Sequence, residues 1–207
     1  MAIPVGWLRM TKCGRQIEGT NIVPFKTPLH FEITEGLPRH HHFTVDDLLR
    51  QYPDLGLVID LTTSTRYYES SVLTPNGVQY KKLICKGFGH LPTADQVTEF
   101  ITTINDFTRS SPDKLICVHC THGLNRTGYM ICRYLMDTFG WTGRQAIDVF
   151  ERARGHQIER PTYVKDLTGE DIVIDESAFA LLRDSPPRDA VVSDLRETNG
   201  SGAIEAL

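Results

Sequence analysis

Apolar and polar positions along this chain fall into blocks that repeat now with a strand's period and now with a helix's. Residues 55–61, Leu-Gly-Leu-Val-Ile-Asp-Leu, are a continuous apolar run of strand length, the pattern of a strand buried on both faces. A second strand is predicted over 78–84, Val-Gln-Tyr-Lys-Lys-Leu-Ile, and a short buried one over 115–118, Leu-Ile-Cys-Val. Between them the period changes. Val97, Phe100, Ile101, Ile104 and Phe107 recur at helical spacing, and Thr93 with Gln96 forms a capping box ahead of them. Met130, Ile131, Tyr134 and Leu135 mark another helix, which Gly140 ends. Thr142 and Gln145 open a further one that buries Ala146, Ile147 and Phe150. Thr44, with Asp46, Asp47, Leu48 and Leu49 after it, predicts a short capped helix. Over residues 1–30, Pro4, Gly14, Gly19, Pro24 and Pro28 interrupt any period, so this stretch reads as loop.

Strands alternating with helices predict an α/β fold with a central, mostly parallel twisted sheet flanked by helices. The patterned part, residues 1–168, is long enough for one domain. Residues 169–207 carry Gly169-Glu170-Asp171, Asp184-Ser185-Pro186-Pro187-Arg188-Asp189 and Asn199-Gly200-Ser201-Gly202 and read as an acidic, flexible tail. Ala178 to Leu182 has the pattern of a short docking helix but is not assigned as one.

Composition narrows the class. With 40% hydrophobic and 23% charged residues and no apolar run of membrane-spanning length, the chain reads as soluble, with no membrane partner. The five cysteines, at 13, 85, 117, 120 and 132, are odd in number and lack framework spacing, which predicts free thiols in a reducing compartment. The first seven residues lack the basic start of a secretory signal. An intracellular monomer is the expectation. The net charge of −4 excludes a general coat for nucleic acid and leaves room for a local basic pocket.

The chemistry is concentrated in Val118-His119-Cys120-Thr121-His122-Gly123-Leu124-Asn125-Arg126-Thr127-Gly128. A buried strand precedes this string and a helix follows it. A thiol becomes a good nucleophile only as thiolate. A loop wrapped around Cys120 aims successive backbone N–H groups inward as an anion nest, and the helix start adds partial positive charge. Thr121, His122, Gly123, Leu124, Asn125 and Arg126 are therefore the predicted phosphate cradle. Gly123 lets the backbone close in. Arg126 offers a planar fork for two phosphoryl oxygens, Thr127 a hydroxyl for the departing thiolate, and His119 hydrogen bonds that orient the loop. The predicted reaction is attack by Cys120 on phosphorus, then hydrolysis of the phosphocysteine, with no metal or other cofactor, because amides and Arg126 stabilise the charge. A zinc reading of Cys117, Cys120, His119 and His122 is set aside, since those positions point in different directions and no second ligand cluster appears.

The string HCTHGLNRTG resembles the cysteine-phosphatase RNA 5′-triphosphatases. That group includes the first domain of metazoan capping enzymes, the baculovirus phosphatase and the phosphatases that interact with RNA and ribonucleoprotein complexes. It lies within the dual-specificity phosphatase superfamily. The likeness extends to residues 24–29, 58–62 with Arg66-Tyr67-Tyr68, and 154–160, Arg-Gly-His-Gln-Ile-Glu-Arg, and covers about residues 4–167. It implies a dual-specificity-phosphatase-like fold and an RNA 5′-polyphosphatase that removes γ and β phosphates. RNA with a 5′-triphosphate or diphosphate end would be its partner, ribonucleoprotein complexes its setting and the nucleus its place. It further implies that Arg160 grips the distal phosphates and that Arg66 and Lys26 support the pocket; salt bridges on the surface are the other reading of Arg66 and Lys26. A capping-type activity that stops at the diphosphate, a dual-specificity protein phosphatase and a phosphate-binding adaptor stay open as alternatives. Protein phosphatases of this class use an Asp general acid upstream of the Cys. Here that region is Lys86-Gly87-Phe88-Gly89-His90-Leu91-Pro92-Thr93-Ala94-Asp95, where Asp95 falls late, at a helix start. A phenolic leaving group of pKa about 10 gains much from an acid, and a phosphoanhydride far less.

Overall fold

A computed structural model describes residues 2–170 of the 207. Four strands, β1 (Ile22–Lys26), β2 (Leu55–Asp60), β3 (Gln79–Lys82) and β4 (Leu115–Cys120), form a sheet in the order β1-β4-β2-β3, all pairs parallel. The helices are α1 (Phe31–Thr34), α2 (Val45–Gln51), α3 (Ala94–Ser110), α4 (Asn125–Phe139), α5 (Gly143–Arg154) and α6 (Pro161–Thr168). The expected α/β architecture is present, and among the described residues the sheet is wholly parallel. Capping boxes open α2 at Thr44, α3 at Thr93 and α5 at Thr142. None of the described helices is long and apolar enough to cross a membrane. The tail beyond 170, with the segment 178–182, lies outside the described residues.

Each central strand alternates its side chains between two cores. On β4, Ile116, Val118 and Cys120 pack with α3, α4, α5 and α6, whereas Cys117 packs with Trp7, Phe43 and Leu48 on the opposite face. Cys117 and Cys120 therefore face opposite ways and share no ligand position. A register shift between Leu55 and Leu57 lets β2 follow the same alternation. It falls at Gly56, where a Cβ would lie 2.6 Å from the Phe107 ring.

β1 falls where the sequence reads as loop. Pro24 stands at its centre, yet β1 is the edge strand beside β4, and its outer side meets the N-terminal segment through an antiparallel bridge between Cys13 and Phe25. The Pro24 carbonyl accepts from the Gly14 N–H at 2.7 Å, and the Lys26 N–H donates to the Lys12 carbonyl at 3.0 Å. Pro24 thus turns its missing donor toward the N-terminal segment, away from the ladder to β4, so the proline costs the sheet nothing. The same segment covers the sheet edge. Helix α6 was likewise not foreseen; Arg160 and Pro161 start it without a side-chain cap.

Register places the carboxyl ends of three strands side by side. Lys26 lies opposite Cys120, and Asp60 opposite His119. In open α/β sheets, ligands bind beyond these strand ends.

Candidate active site

Strand β4 ends at Cys120, and α4 begins at Asn125, so residues 121–124 must reverse direction in one tight loop. Gly123 makes the bend with φ +69°, and a Cβ there would lie 2.1 Å from the Phe25 carbonyl oxygen. No other residue type fits that approach.

Cys120 is 3% exposed at the base of this loop. Burial alone pushes its thiol up, but the Arg126 charge, the Thr127 hydroxyl and amide, and the His122 amide outweigh it and hold the pKa below the ordinary value. The other four cysteines go the opposite way. Burial raises Cys85 to about 11 and Cys13 to about 12, and pushes Cys117 and Cys132 well up. Of the five, Cys120 alone is shifted toward the thiolate. The Thr127 hydroxyl is buried without a hydrogen bond of normal geometry. It stands poised beside the sulfur, close enough to favour the anion but not fully bonded to it.

The Arg126 guanidinium donates to the carbonyls of Leu61 and Cys85 and to the Thr121 hydroxyl, each at 3.1 Å. Those three bonds occupy three of its five N–H donors; two remain for a bidentate anion. His119 is wholly buried. Its Nε2 pairs with the Tyr68 hydroxyl at 2.9 Å and its Nδ1 with the Cys120 carbonyl at 3.1 Å. Burial holds its pKa below the ordinary value, so a neutral ring that orients the loop fits the geometry. Asp60 takes a 2.8 Å ion pair from Lys82 and hydrogen bonds from Tyr80 and the Thr62 N–H.

The side chains of the loop and of its supports have partners of their own. The His122 ring turns outward to the Val5 carbonyl at 2.7 Å; only its amide faces the sulfur. Asn125 uses its side-chain oxygen to accept from the backbone N–H groups of Glu159 and Arg160, at 2.9 Å each. That pins the exposed Arg160 beside the loop. The Lys26 ammonium is buried, so it is not a surface salt bridge; it donates to the carbonyls of Trp7 and Met10 and lies 3.4 Å from the Trp7 ring centre. It anchors the N-terminal segment. Arg66 is exposed and lies over the Tyr67 ring at 5.3 Å, with no ion pair to a described residue.

The residue that sequence reasoning missed is Arg154. It is 1% exposed. Its guanidinium donates to the carbonyls of Gly123 at 3.1 Å, His122 at 3.0 Å and Thr11 at 2.9 Å, and to the Thr11 hydroxyl. It grips the nucleophile loop from behind. The available signal was its place four residues after Phe150, on the apolar stripe of α5. A separate groove of about 730 Å³, lined by Lys12, His30, Phe31, Arg39, His42 and Tyr68 among others, contains none of the loop residues. Chemistry, not volume, marks the active site.

Over residues 44–170 the chain matches the family model described as dual specificity phosphatase, catalytic domain. It is 44% identical over 165 residues to a tyrosine-protein phosphatase of Autographa californica nuclear polyhedrosis virus, covering 79% of this chain and 98% of that one. To the RNA/RNP complex-1-interacting phosphatase of Homo sapiens it is 41% identical over 171 residues, 80% of this chain and 51% of that one; the chain therefore spans about half that relative's length. The solved structure of Tk-PTP in its active form covers 76% of this chain at TM-score 0.58 and 22% identity, with 97% of that chain matched, a likeness of fold. A thiol singled out for ionisation, at a strand-to-helix loop inside the matched region, agrees with what the match implies: the chain belongs to the dual specificity phosphatase family.

Proposed function

We propose that the chain is an RNA 5′-polyphosphatase working through a phosphocysteine at Cys120. The thiolate attacks the terminal phosphorus, and the bond from phosphorus to the bridging oxygen breaks with its electrons leaving on the shortened RNA end. The loop amides and Arg126 hold the equatorial oxygens as charge spreads. Water then attacks the phosphocysteine, releasing phosphate and regenerating the thiolate beside the Thr127 hydroxyl. Repetition on the diphosphate product yields a 5′-monophosphate, with Arg160 gripping the remaining phosphates.

One observation carries the choice of substrate. The segment that receives Arg126 through the Cys85 carbonyl runs to Ala94 without a carboxylate, and Asp95 is already in the first turn of α3. A phosphoanhydride departs as a stable anion and needs no proton donor there. The name of the human relative supports the same reading and, with it, association with ribonucleoprotein complexes in the nucleus. The second reading, a protein phosphatase of dual specificity, draws on the family model and the viral relative's name. Hydrolysis of RNA labelled in the γ and β phosphates, compared by kcat/KM with a phosphotyrosine peptide, separates the two. Faster RNA turnover with a monophosphate product is expected; preferred hydrolysis of the peptide would overturn the proposal.

A further inference from the structure

The cup carries on its rim an aromatic ring that the proposed chemistry leaves unused. Phe88 lies between Gly87 and Gly89, and its side chain is 96% exposed. Its φ of +60° makes it the only non-glycine in the left-handed region among the described residues. That conformation is strained for an L residue, and an exposed ring recovers nothing by burial. Neither backbone preference nor packing accounts for phenylalanine at this position.

The segment around it is tied down. The Cys85 carbonyl accepts from Arg126 at 3.1 Å, the Gly89 carbonyl from the Thr162 hydroxyl at 3.3 Å and the His90 carbonyl from the Tyr163 hydroxyl at 2.9 Å. These partners are the cup wall and the first turn of α6, next to the exposed Arg160. On the cup side, a Cβ on Gly87 would lie 4.0 Å from the Arg126 guanidinium carbon. Phe88 is thus held in the open one residue from Gly87, beside Arg126, with exposed cations on both tied segments: Lys86 two residues before it, and Arg160 two residues before the Thr162 that binds Gly89.

We propose that Phe88 is a stacking platform for the first base of a single-stranded RNA 5′ end. The inference rests on the RNA reading above and deepens it. In a triphosphate end the base stands beyond two further phosphates and a ribose from the reacting phosphorus, so it belongs at the rim and not on the floor. An aromatic face flanked by cations is the chemistry that holds single-stranded nucleic acid, because every base has a π-face and every linkage a negative charge. The phenyl ring of a phosphotyrosine is bonded directly to the ester oxygen and would enter the cup, below Phe88. Stacking tolerates all four bases, with purines favoured by area.

The test compares Phe88→Ala with wild type on two substrates, a 5′-triphosphate oligonucleotide and inorganic tripolyphosphate, which has the anhydrides but no base. Alanine keeps the same backbone demand, so the comparison isolates the ring. We expect the ratio of kcat/KM for RNA to that for tripolyphosphate to fall about tenfold, equal to about 1.4 kcal/mol, the scale of one base–aromatic stack. Phe88→Trp restores the ratio, and in a Cys120→Ser background its added fluorescence is quenched by the triphosphate oligonucleotide. Equal losses on both substrates would make Phe88 a matter of loop shape and overturn the inference, as would an unchanged ratio. A larger loss on a phosphotyrosine peptide would put a tyrosyl ring in its place and overturn it too. A wild-type protein that cleaves tripolyphosphate but not triphosphate RNA sinks the RNA reading itself, and this inference with it.

Discussion

The two faces of the loop 120–126 are each served by one arginine, and the two are used in opposite ways. On the inner face, Arg126 is half-buried, spends three donors on carbonyls and a hydroxyl, and keeps two for an anion. On the outer face, Arg154 is almost fully buried and donates to the carbonyls of His122 and Gly123 and to Thr11. A planar trans peptide points its C=O and the next N–H in opposite directions. By drawing two carbonyls outward, Arg154 turns the N–H groups of Gly123 and Leu124 toward the cup. The comparison teaches that an anion nest is built from both sides: one cation meets the ligand, and another holds the backbone so that its amides can.

The largest effect that tests this comparison is at the sulfur itself. Cys120→Ser should lower kcat by about 10⁴-fold or more, since a hydroxyl does not ionise near neutral pH. Trapping of phosphoenzyme during turnover checks the wild type, and its absence would remove the inner face from the mechanism. Next comes Arg126→Met, expected to cost about 10²–10³-fold in kcat/KM. Because the Arg126 charge lowers the Cys120 pKa, its removal moves the pH profile of Cys120 alkylation to higher pH. Alkylation slows as pH falls through the thiol pKa, so at neutral pH the variant should react more slowly than wild type. An unmoved profile would mean that the amides alone hold the thiolate.

Arg154→Met probes the outer face. It leaves the carbonyls of His122, Gly123 and Thr11 without their donor, which at about 1–3 kcal/mol per group costs at least about 3 kcal/mol of stability, read by chemical denaturation. If Arg154 positions the amides, the same variant also shifts the alkylation profile upward in folded protein, and Arg154→Lys restores only part of it because an ammonium cannot reproduce the fork. A stability loss with an unmoved profile would make Arg154 a packing residue only. The smallest effect belongs to His122→Ala. Removal of its bond to the Val5 carbonyl should cost about 1 kcal/mol and reduce kcat/KM by less than Arg154→Met does. A larger catalytic loss would show that the N-terminal segment shapes the cup through His122.

Much of the frame was readable from local rules. Capping boxes at Thr93 and Thr142 and the runs over 55–61 and 115–118 located α3, α5, β2 and β4, because caps and apolar periods act within a few residues. The nucleophile loop was legible for the same reason, as a tight strand-to-helix turn whose residues are contiguous. β1 escaped because Pro24 breaks a strand in general and is harmless only on an edge turned toward another segment, a fact of the sheet order. Asn125 was read as part of the cradle through its backbone; the partners of its side chain, the N–H groups of residues 159 and 160, lie far along the chain and were not legible.

Local sequence thus located most of the elements, the candidate nucleophile and the cation beside it, since hydrogen bonding within a turn and the spacing of apolar residues are short-range. Which way each polar side chain faces was settled only on folding. Lys26 and Arg154 are residue types that sequence assigns to solvent or ligand, and both are buried on backbone carbonyls brought from distant segments. The cost of removing a charge from water is met only where those carbonyls converge, and their convergence is a property of the packed sheet and helices, not of any stretch of the chain.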